Sequence, residues 1–169
     1  IWNDGTAVVD GSSGGAPECL HVRELTVGDV PGDGYMQTDQ IDITTAYDLN
    51  VGDLWYNYVP ETRSYTDIYG EFVMQNASSL NIGGDLDIAE IRANGELIND
   101  GSADVTIQEV TSVSIGGDLD IGSPYPRENS QATSSATLLM DRIDTLLIDG
   151  DFDIGSPGAY DNGIGNGTV

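Results

Sequence analysis

The sequence predicts an all-β protein that folds as a single-domain parallel β-helix (β-solenoid) of about five coils, with its loops clustered on one side. The first observation is internal repetition: FVMQNASSLNIGGDLDI at 72–88, VTIQEVTSVSIGGDLDI at 105–121 and LLMDRIDTLLIDGDFDI at 138–154 superimpose without gaps. Two earlier segments, at 41–56 and 19–30, align less completely. The three clearest copies begin at the evenly spaced residues 72, 105 and 138. Repetition at such a period indicates stacked structural units that bury a shared core.

The second observation is the spacing of apolar residues within each copy. They occur in pairs two residues apart, and alternate side chains of a strand point the same way. In the third copy the pairs are Phe72 with Met74, Leu80 with Ile82, and Leu86 with Ile88. We therefore expect short strands separated by corners, with Gly83 and Gly84 giving the backbone freedom for the sharpest corner.

The third observation is that the copies predict columns of buried side chains, spaced about 4.8 Å apart. Four columns are expected: Cys19, Ile43, Met74, Ile107 and Met140; Leu25, Leu49, Leu80, Val113 and Leu146; Val27, Val51, Ile82, Ile115 and Ile148; Val30, Leu54, Leu86, Leu119 and Phe152. Because Cys19 falls in a column with Ile43 and Met74, we expect it to be a small buried residue rather than a reactive thiol.

Two other architectures are considered. Val110-x-x-Val113-x-Ile115-x-x-Asp118 imitates the opening of a leucine-rich repeat, but Asp120 stands where that repeat needs an apolar residue. The segments that follow Ile88 and Ile121 are rich in Gly, Pro, Ser and Asn and have no helical period. The β-helix is therefore favoured over a leucine-rich repeat, and an antiparallel β-sandwich is a third alternative.

The composition limits the choice of partners. The chain has 29 acidic and 5 basic residues and a net charge of −24. Nucleic acids and anionic membrane surfaces attract cationic proteins, so neither is expected as a partner. No apolar run is long enough to span a bilayer, and we expect no membrane insertion. The chain begins at Ile1, which suggests a processed, secreted product or a trimmed one.

Aspartates form two further columns. Asp29, Asp53, Asp85, Asp118 and Asp151 follow the glycine corner, and Asp87, Asp120 and Asp153 lie two residues later with their side chains expected to face outward. One hypothesis is that Ca²⁺ lies between Asp85, Asp87, Asp118, Asp120, Asp151 and Asp153, because calcium takes several carboxylate oxygens. The alternative is that each aspartate bonds backbone N–H groups of the turn. Capping is favoured for the first column, and both interpretations stay open for the second. No other cofactor is predicted.

The chain is divided into an N-terminal arm and linker at 1–14, the repeats at 15–157 and a C-terminal tail at 158–169. Neither terminal segment has the pattern of an amphipathic cap, which solenoids usually need. We therefore predict an assembly arm, with Ile1, Trp2, Val8 and Val9 adding a strand to a neighbouring copy. The alternative is that this arm folds back over its own first coil.

Two surface features are also predicted. The segments between coils carry tyrosines that, with Trp55, form a strip for carbohydrate stacking or lateral contact: Tyr35, Tyr58, Tyr65, Tyr69 and Tyr125. The triplets that begin at Asn76 and Asn166 match the N-glycosylation pattern.

The runs LTVGDV, LNVGDL, LNIGGDLDI, VSIGGDLDIGSP and LLIDGDFDIGSP resemble the repeats of secreted bacterial surface proteins with autotransporter-associated or sorting-signal-linked β-solenoid arrays. The resemblance extends from about Gly15 to Pro157. It implies a parallel β-helix, an extracellular or cell-surface location, a role as adhesin, stalk or fibre, and no catalytic residues.

We therefore expect a structural protein, not an enzyme: a subunit of a filament, sheath or surface fibre that binds copies of itself by end-to-end stacking or strand addition. The alternatives are a glycan-binding adhesin module and a polysaccharide lyase or hydrolase. The enzymes need a basic group at the sugar acid or two carboxylates of unequal pKa. The few arginines lie in separate repeats and the acids in regular columns, so no unique site is apparent.

Overall fold

The computed structural model describes residues 2–3, 6–10, 18–28, 33–52, 66–93, 98–126, 131–155 and 163–169. Within these residues the chain forms strands and no helix, and every pairing between strands is parallel. The predicted all-β class with parallel sheets is confirmed. The same part of the chain contains no helix long and apolar enough to cross a membrane.

The described strands form three larger sheets and one pair. The short sheet contains β1 (Trp2–Asn3), β4 (Leu25–Val27), β7 (Leu49–Val51), β10 (Leu86–Ile88), β14 (Leu119–Ile121) and β18 (Phe152–Ile154). The middle sheet contains β3 (Glu18–Val22), β6 (Ile41–Thr45), β9 (Ser79–Ile82), β13 (Ser112–Ile115) and β17 (Thr145–Ile148). The long sheet contains β2 (Thr6–Asp10), β5 (Gly34–Asp39), β8 (Thr66–Gln75), β12 (Ile98–Gln108), β16 (Gln131–Asp141) and β19 (Gly163–Thr168). The pair is β11 (Ile91–Ala93) with β15 (Pro124–Pro126).

Each repeat contributes one strand to the long, the middle and the short sheet, in that order. Repeats one to five contain β2 to β4, β5 to β7, β8 to β11, β12 to β15 and β16 to β18. Each strand pairs with the corresponding strand of the neighbouring repeat, so Val105 lies between Phe72 and Leu138. Equivalent apolar residues are therefore brought together along the whole series.

The core consists of the inward residues of the three sheets. Strand β9 illustrates the alternation: Leu80 and Ile82 are buried, whereas Ser79 and Asn81 are partly exposed. The register predicted for the last three copies is confirmed, because Val113 pairs with Leu80 and Leu146. The expected burial is wrong for Leu146 and Phe152, which are exposed. Stacking these aliphatic side chains removes from water the apolar surface that one repeat alone would expose.

Within the first two repeats Leu25 pairs with Leu49 and Val27 with Val51 as predicted, but the alignment of these columns with the later copies is wrong. Val30 and Leu54 lie outside the described residues. Leu49 pairs with Leu86 in the short sheet, and the partner of Leu80 in the middle sheet is Ile43. The corner preceding Leu49 has the sequence Ala-Tyr-Asp at 46–48 instead of Gly-Gly-Asp. The later Val-Gly-Asp at 51–53 imitates that motif and shifts the sequence alignment by one strand.

Cys19 is affected by the same error. It pairs with Asp42 and is exposed, whereas the inward position of β3 beside Ile43 belongs to Leu20. The prediction that Cys19 is buried is therefore wrong.

The described residues with positive φ lie at other corners than the glycine corner of the prediction. Gln40, Asn76, Glu109 and Arg142 end the long-sheet strands with φ between 55° and 58°. A second set of positive-φ residues follows the short-sheet strands: Gly28, Gly52, Ala89, Gly122 and Gly155. Gly83 and Gly84 are not among the positive-φ residues, so left-handed backbone does not explain the glycine pair.

The long sheet passes close to the end of the short sheet at Gly70. A Cβ atom there would overlap the backbone nitrogen of Gly52. Beyond this contact lies a small second apolar cluster of Ile68, Ile91 and Ala132, separate from the main core. The extra length of β8, β12 and β16 thus serves a second packing region that the repeat pattern does not indicate.

Candidate functional site

Aspartates form a hydrogen-bonded ladder at the corner between the middle and short sheets. The Asp48 Oδ1 atom accepts a bond of 3.0 Å from the backbone N–H of Asp85. Asp85 Oδ1 accepts one of 2.8 Å from the N–H of Asp118, and Asp118 Oδ1 accepts one of 2.8 Å from the N–H of Asp151. Each side chain therefore caps the corner of the next repeat.

The ladder supports the capping interpretation of the first aspartate column, although each cap reaches the next repeat rather than its own turn. Charge-assisted hydrogen bonds to a carboxylate are stronger than those between neutral groups, so they offset repulsion between the stacked charges. Asp48, which the sequence alignment placed elsewhere, begins this ladder. Asp29 and Asp53 lie outside the described residues.

The ladder also explains the second glycine of the corner. A Cβ atom on Gly117 would overlap Oδ1 of Asp85, and a Cβ on Gly84 would overlap Oδ1 of Asp48. In the second repeat, Tyr47 occupies the position that Gly84 has in the third. The first repeat has Glu24 at the position of the ladder aspartates. The glycine makes room for a carboxylate, and the sequence signal for this is the Gly-Asp pair that recurs in successive copies.

The second aspartate column lies on the outer side of the short sheet, where Asn50 pairs with Asp87, Asp87 with Asp120, and Asp120 with Asp153. Asp153 is exposed as predicted, but Asp87 is only 6% exposed. The prediction that all three aspartates face solvent is therefore wrong for Asp87.

Burial changes the acidity of this column. The pKa of Asp87 is raised to about 8, first by burial and then by the charge of the neighbouring Glu90. The pKa of Asp120 is raised to about 6 by the same two causes. Glu90 is itself buried and was not identified from the sequence, because it precedes β11 outside the repeated motif. With a pKa of about 8, Asp87 holds its proton at neutral pH.

The structure adds no support for the calcium hypothesis. No group of three or more His, Cys, Asp or Glu side chains within the described residues is placed to hold a metal ion. Asp85 and Asp118 each use Oδ1 to accept a backbone hydrogen bond. Calcium binding by the six aspartates therefore stays a prediction.

A second ladder follows the corner between the long and middle sheets. Gln75 Nε2 donates to Gln108 Oε1 at 3.1 Å, and Gln108 Nε2 donates to Asp141 Oδ2 at 3.1 Å. Nearby, Asn76 is exposed and its Nδ2 donates to Asp39 Oδ1 at 2.7 Å. An N-linked glycan would replace one of the two hydrogens on this Nδ2 atom, and glycosylation stays a prediction.

Asn166, the second predicted glycosylation site, lies in β19, where its backbone pairs with Ser135. Its side chain is outside the described part of the structure.

The predicted tyrosine strip is only partly described, and two of its members are placed differently. Tyr35 and Tyr69 lie on strands of the long sheet and not in the segments between coils. The Tyr69 hydroxyl is within hydrogen-bonding distance of Glu71 Oε2 at 3.1 Å and Asp104 Oδ2 at 3.2 Å, and burial with these acids raises its pKa. Trp55, Tyr58 and Tyr65, together with the side chain of Tyr125, lie outside the described residues.

The predicted assembly arm pairs within its own chain. Trp2 of β1 lies beside Thr26, and Val8 and Val9 of β2 lie beside Gln37 and Thr38. Ile1 is outside the described residues. Donation of this arm to a neighbouring copy stays a prediction.

The last repeat exposes side chains whose equivalents in the second, third and fourth repeats are buried. Leu146, Phe152 and Ile154 are 48%, 49% and 47% exposed, although they occupy the columns of the buried Val113, Leu119 and Ile121. Strands β17 and β18 are the last strands of the middle and short sheets in the described structure. We call this surface, formed by β17 and β18 with these three side chains, the open end.

Comparison with protein-family models, curated proteins and solved structures found no match. The likeness to bacterial surface repeats therefore stays a resemblance of motifs. The candidate functional features of the described residues are two acidic columns along the sides of the sheets and an apolar open end.

Proposed function

We propose that the chain is one continuous β-solenoid of about five coils and that it is an extracellular structural protein, a subunit of a filament, sheath or surface fibre. Its partner is another copy of the same chain, which stacks on the open end. The repeating order of long, middle and short sheets supports the solenoid. The net charge of −24 suits a surface exposed to solvent, because it keeps the sides of such fibres apart.

The open end is the observation on which this proposal rests. Covering the exposed half of Leu146, Phe152 and Ile154 would contribute about 1 kcal/mol for each side chain. Strands β17 and β18 also present backbone groups along an edge, and an edge of this kind pairs readily with another chain. Apolar side chains and backbone edge lie together, as they do at every internal boundary between repeats.

Burial argues against the enzymatic alternative. Catalytic carboxylates of a glycosidase must reach the glycosidic oxygen and the anomeric carbon. Asp87, the carboxyl group with the most strongly raised pKa, is only 6% exposed and is screened from a polymeric substrate. The raised pKa is accounted for by burial and like charge, so no acid–base pair of a polysaccharide hydrolase is proposed.

Two neighbouring leucines provide a matched test of the open end. Leu146 occupies the inward column and is 48% exposed, whereas Leu147 is 50% exposed on the other side of the same strand. Leu146→Lys should weaken self-association at least tenfold, because it places a charge where the next copy packs. Leu147→Lys should leave self-association unchanged.

Self-association is measured by sedimentation velocity over a range of protein concentrations, with electron microscopy to detect fibres. Thermal melts establish that both variants fold. If the native chain stays a dispersed monomer at the highest concentration, or if the two lysine variants weaken association equally, the proposal is wrong.

A further inference from the structure

The first and last repeats present different surfaces to a second copy of the chain. At the open end the inward apolar side chains are half exposed, whereas in the first repeat Leu25 and Val27 of β4 are fully buried. Strand β1 pairs with β4 and extends the short sheet beyond it. We call the opposite surface, formed by β3 and the following corner, the first-strand end.

The exposed charges of the two ends also differ. Around the open end the exposed charged residues of the corners and of β18 are mostly acidic. Asp144, Asp149, Asp151 and Asp153 outnumber Arg142, which is paired with Glu109 and Asp141. At the first-strand end the described exposed residues include His21, Arg23 and Glu24. The Arg23 guanidinium lies 5.1 Å from the centre of the Tyr47 ring, which holds it at the corner between the middle and short sheets. Asp149 and Asp151 occupy the same corner of the last repeat.

Charge therefore distinguishes the ways in which two copies can meet. Two open ends placed together would bring four aspartates against four like charges, at separations where repulsion is not fully screened. An open end placed against a first-strand end brings the same aspartates near Arg23. The second arrangement adds less like-charge repulsion, because at the first-strand end the charge of Arg23 offsets that of Glu24.

Strand direction leads to the same arrangement. All pairings among the described strands are parallel, and Asp151 is the last aspartate of the described ladder. A copy that continues the sheets in the same direction must arrive with its first strands, so that β1 follows β18 and β2 follows β19. Its polypeptide then runs in the direction that every existing hydrogen-bonded ladder requires.

We propose that the open end of one copy binds the first-strand end of the next, head to tail, so that the filament has a single polarity. This inference rests on the proposed function, because it specifies which surfaces form the joint. A head-to-tail contact uses two different surfaces, and it produces an open filament whenever the rotation between copies does not close a ring.

The three larger sheets do not have equal numbers of described strands, so one layer of the joint lacks a strand. The described long and short sheets have six strands each and the middle sheet has five. In the joint, β19 of one copy and β1 of the next share a layer that has no middle-sheet strand. Arg23 then lies about two strand spacings, or about 9.6 Å, from the last aspartate corner, which is within about one Debye length. The joint should therefore be weaker than an internal boundary between repeats and sensitive to salt.

Two variants that each block one end test the polarity. Phe152→Lys, on the strand that β1 of the next copy would follow, blocks the open end. The double variant His21→Asp with Arg23→Asp makes the first-strand end acidic, so that it repels the aspartates of the open end. Each variant alone should remain monomeric at concentrations where the native chain associates. An equimolar mixture should form dimers and nothing larger, because one native joint remains available.

The mixture separates failure of the polarity from failure of the proposed function. If open ends bind each other, the double variant alone associates as the native chain does, and adding the other variant yields no further dimer; the head-to-tail inference is then wrong while self-assembly stands. If the native chain does not associate, the proposed function itself fails. The experiment uses sedimentation velocity at low ionic strength, with circular dichroism melts to verify folding of both variants.

Discussion

Asp85 and Asp118, which occupy the same position in successive repeats, are joined by a hydrogen bond of 2.8 Å from the backbone N–H of Asp118 to Oδ1 of Asp85. The same bond joins Asp118 to Asp151. A column of like charges would be expected to destabilise a stack of repeats, but each carboxylate here holds the corner of the next repeat. The acidic column is therefore part of what fixes the register between repeats.

This relationship predicts different effects for two substitutions of Asp85. Asp85→Ala removes the acceptor of the Asp118 N–H and should lower the free energy of unfolding by about 1 kcal/mol, because the bond is partly accessible to water. Asp85→Asn keeps an oxygen acceptor and removes one negative charge, so it should be at least as stable as the native chain. Urea denaturation at pH 7 measures both. Equal stability of the two variants would show that the hydrogen bond contributes nothing.

Gly84, Gly117 and Gly150 precede ladder aspartates, and each should be required because the carboxylate of the previous repeat leaves no room for a Cβ atom. Gly117→Ala should destabilise the protein by about 1–3 kcal/mol, because its Cβ would overlap Asp85 Oδ1. The double variant with Asp85→Ala should recover part of that loss. Gly116→Ala is the matched control, since its Cβ would lie 2.6 Å from the backbone oxygen of Gly83, which no side-chain substitution removes. Equal rescue at both glycines would contradict this explanation.

The regular part of the fold could be predicted from the sequence because each buried column repeats its residue type. Val113 and Leu146 were aligned correctly, since their copies share the Gly-Asp corner that sets the register. Leu49 was misaligned because its corner, Ala46 to Asp48, lacks glycine. A repeat whose corner is built from other residues provides no local signal of where the strand ends.

The acidic columns were located from the sequence, but their surroundings were not. Alternation within a strand gives the face on which Asp87 lies, and it does not indicate what covers that face. The burial of Asp87 and Glu90 depends on contacts between distant segments. For the same reason the open end was foreseen only in general terms, from the missing cap, and not as Leu146, Phe152 and Ile154.

Calcium removal gives a direct test of the aspartate columns. Because Asp85 and Asp118 already accept backbone hydrogen bonds, we expect the thermal midpoint to be the same after dialysis against EGTA as in added Ca²⁺. Magnesium at equal ionic strength is the control for simple charge screening. A midpoint that rises with calcium but not with magnesium, and no longer does so in Asp120→Asn, would instead establish the calcium site.

The raised pKa of Asp87 predicts that stability falls as the pH rises. The folded protein holds this proton up to about pH 8, whereas the unfolded chain releases it near the ordinary value of 3.8. The contribution is therefore fully present below about pH 4 and is lost as the pH rises through about 8, by up to about 1.4 kcal/mol per pH unit. Asp120 should add a smaller loss of stability, and this loss ends near pH 6.

Asp87→Asn should therefore match the native chain near pH 4 and exceed its stability at pH 7, because a neutral amide is buried in place of an acid that must stay protonated. Asp144→Asn, at an exposed position outside this column, is the control, and its stability should fall with pH as that of the native chain does. Urea denaturation from pH 4 to 8 measures the slopes. The raised pKa would be wrong if native and Asp87→Asn proteins lost stability in parallel, because burial would then impose no cost on ionising Asp87.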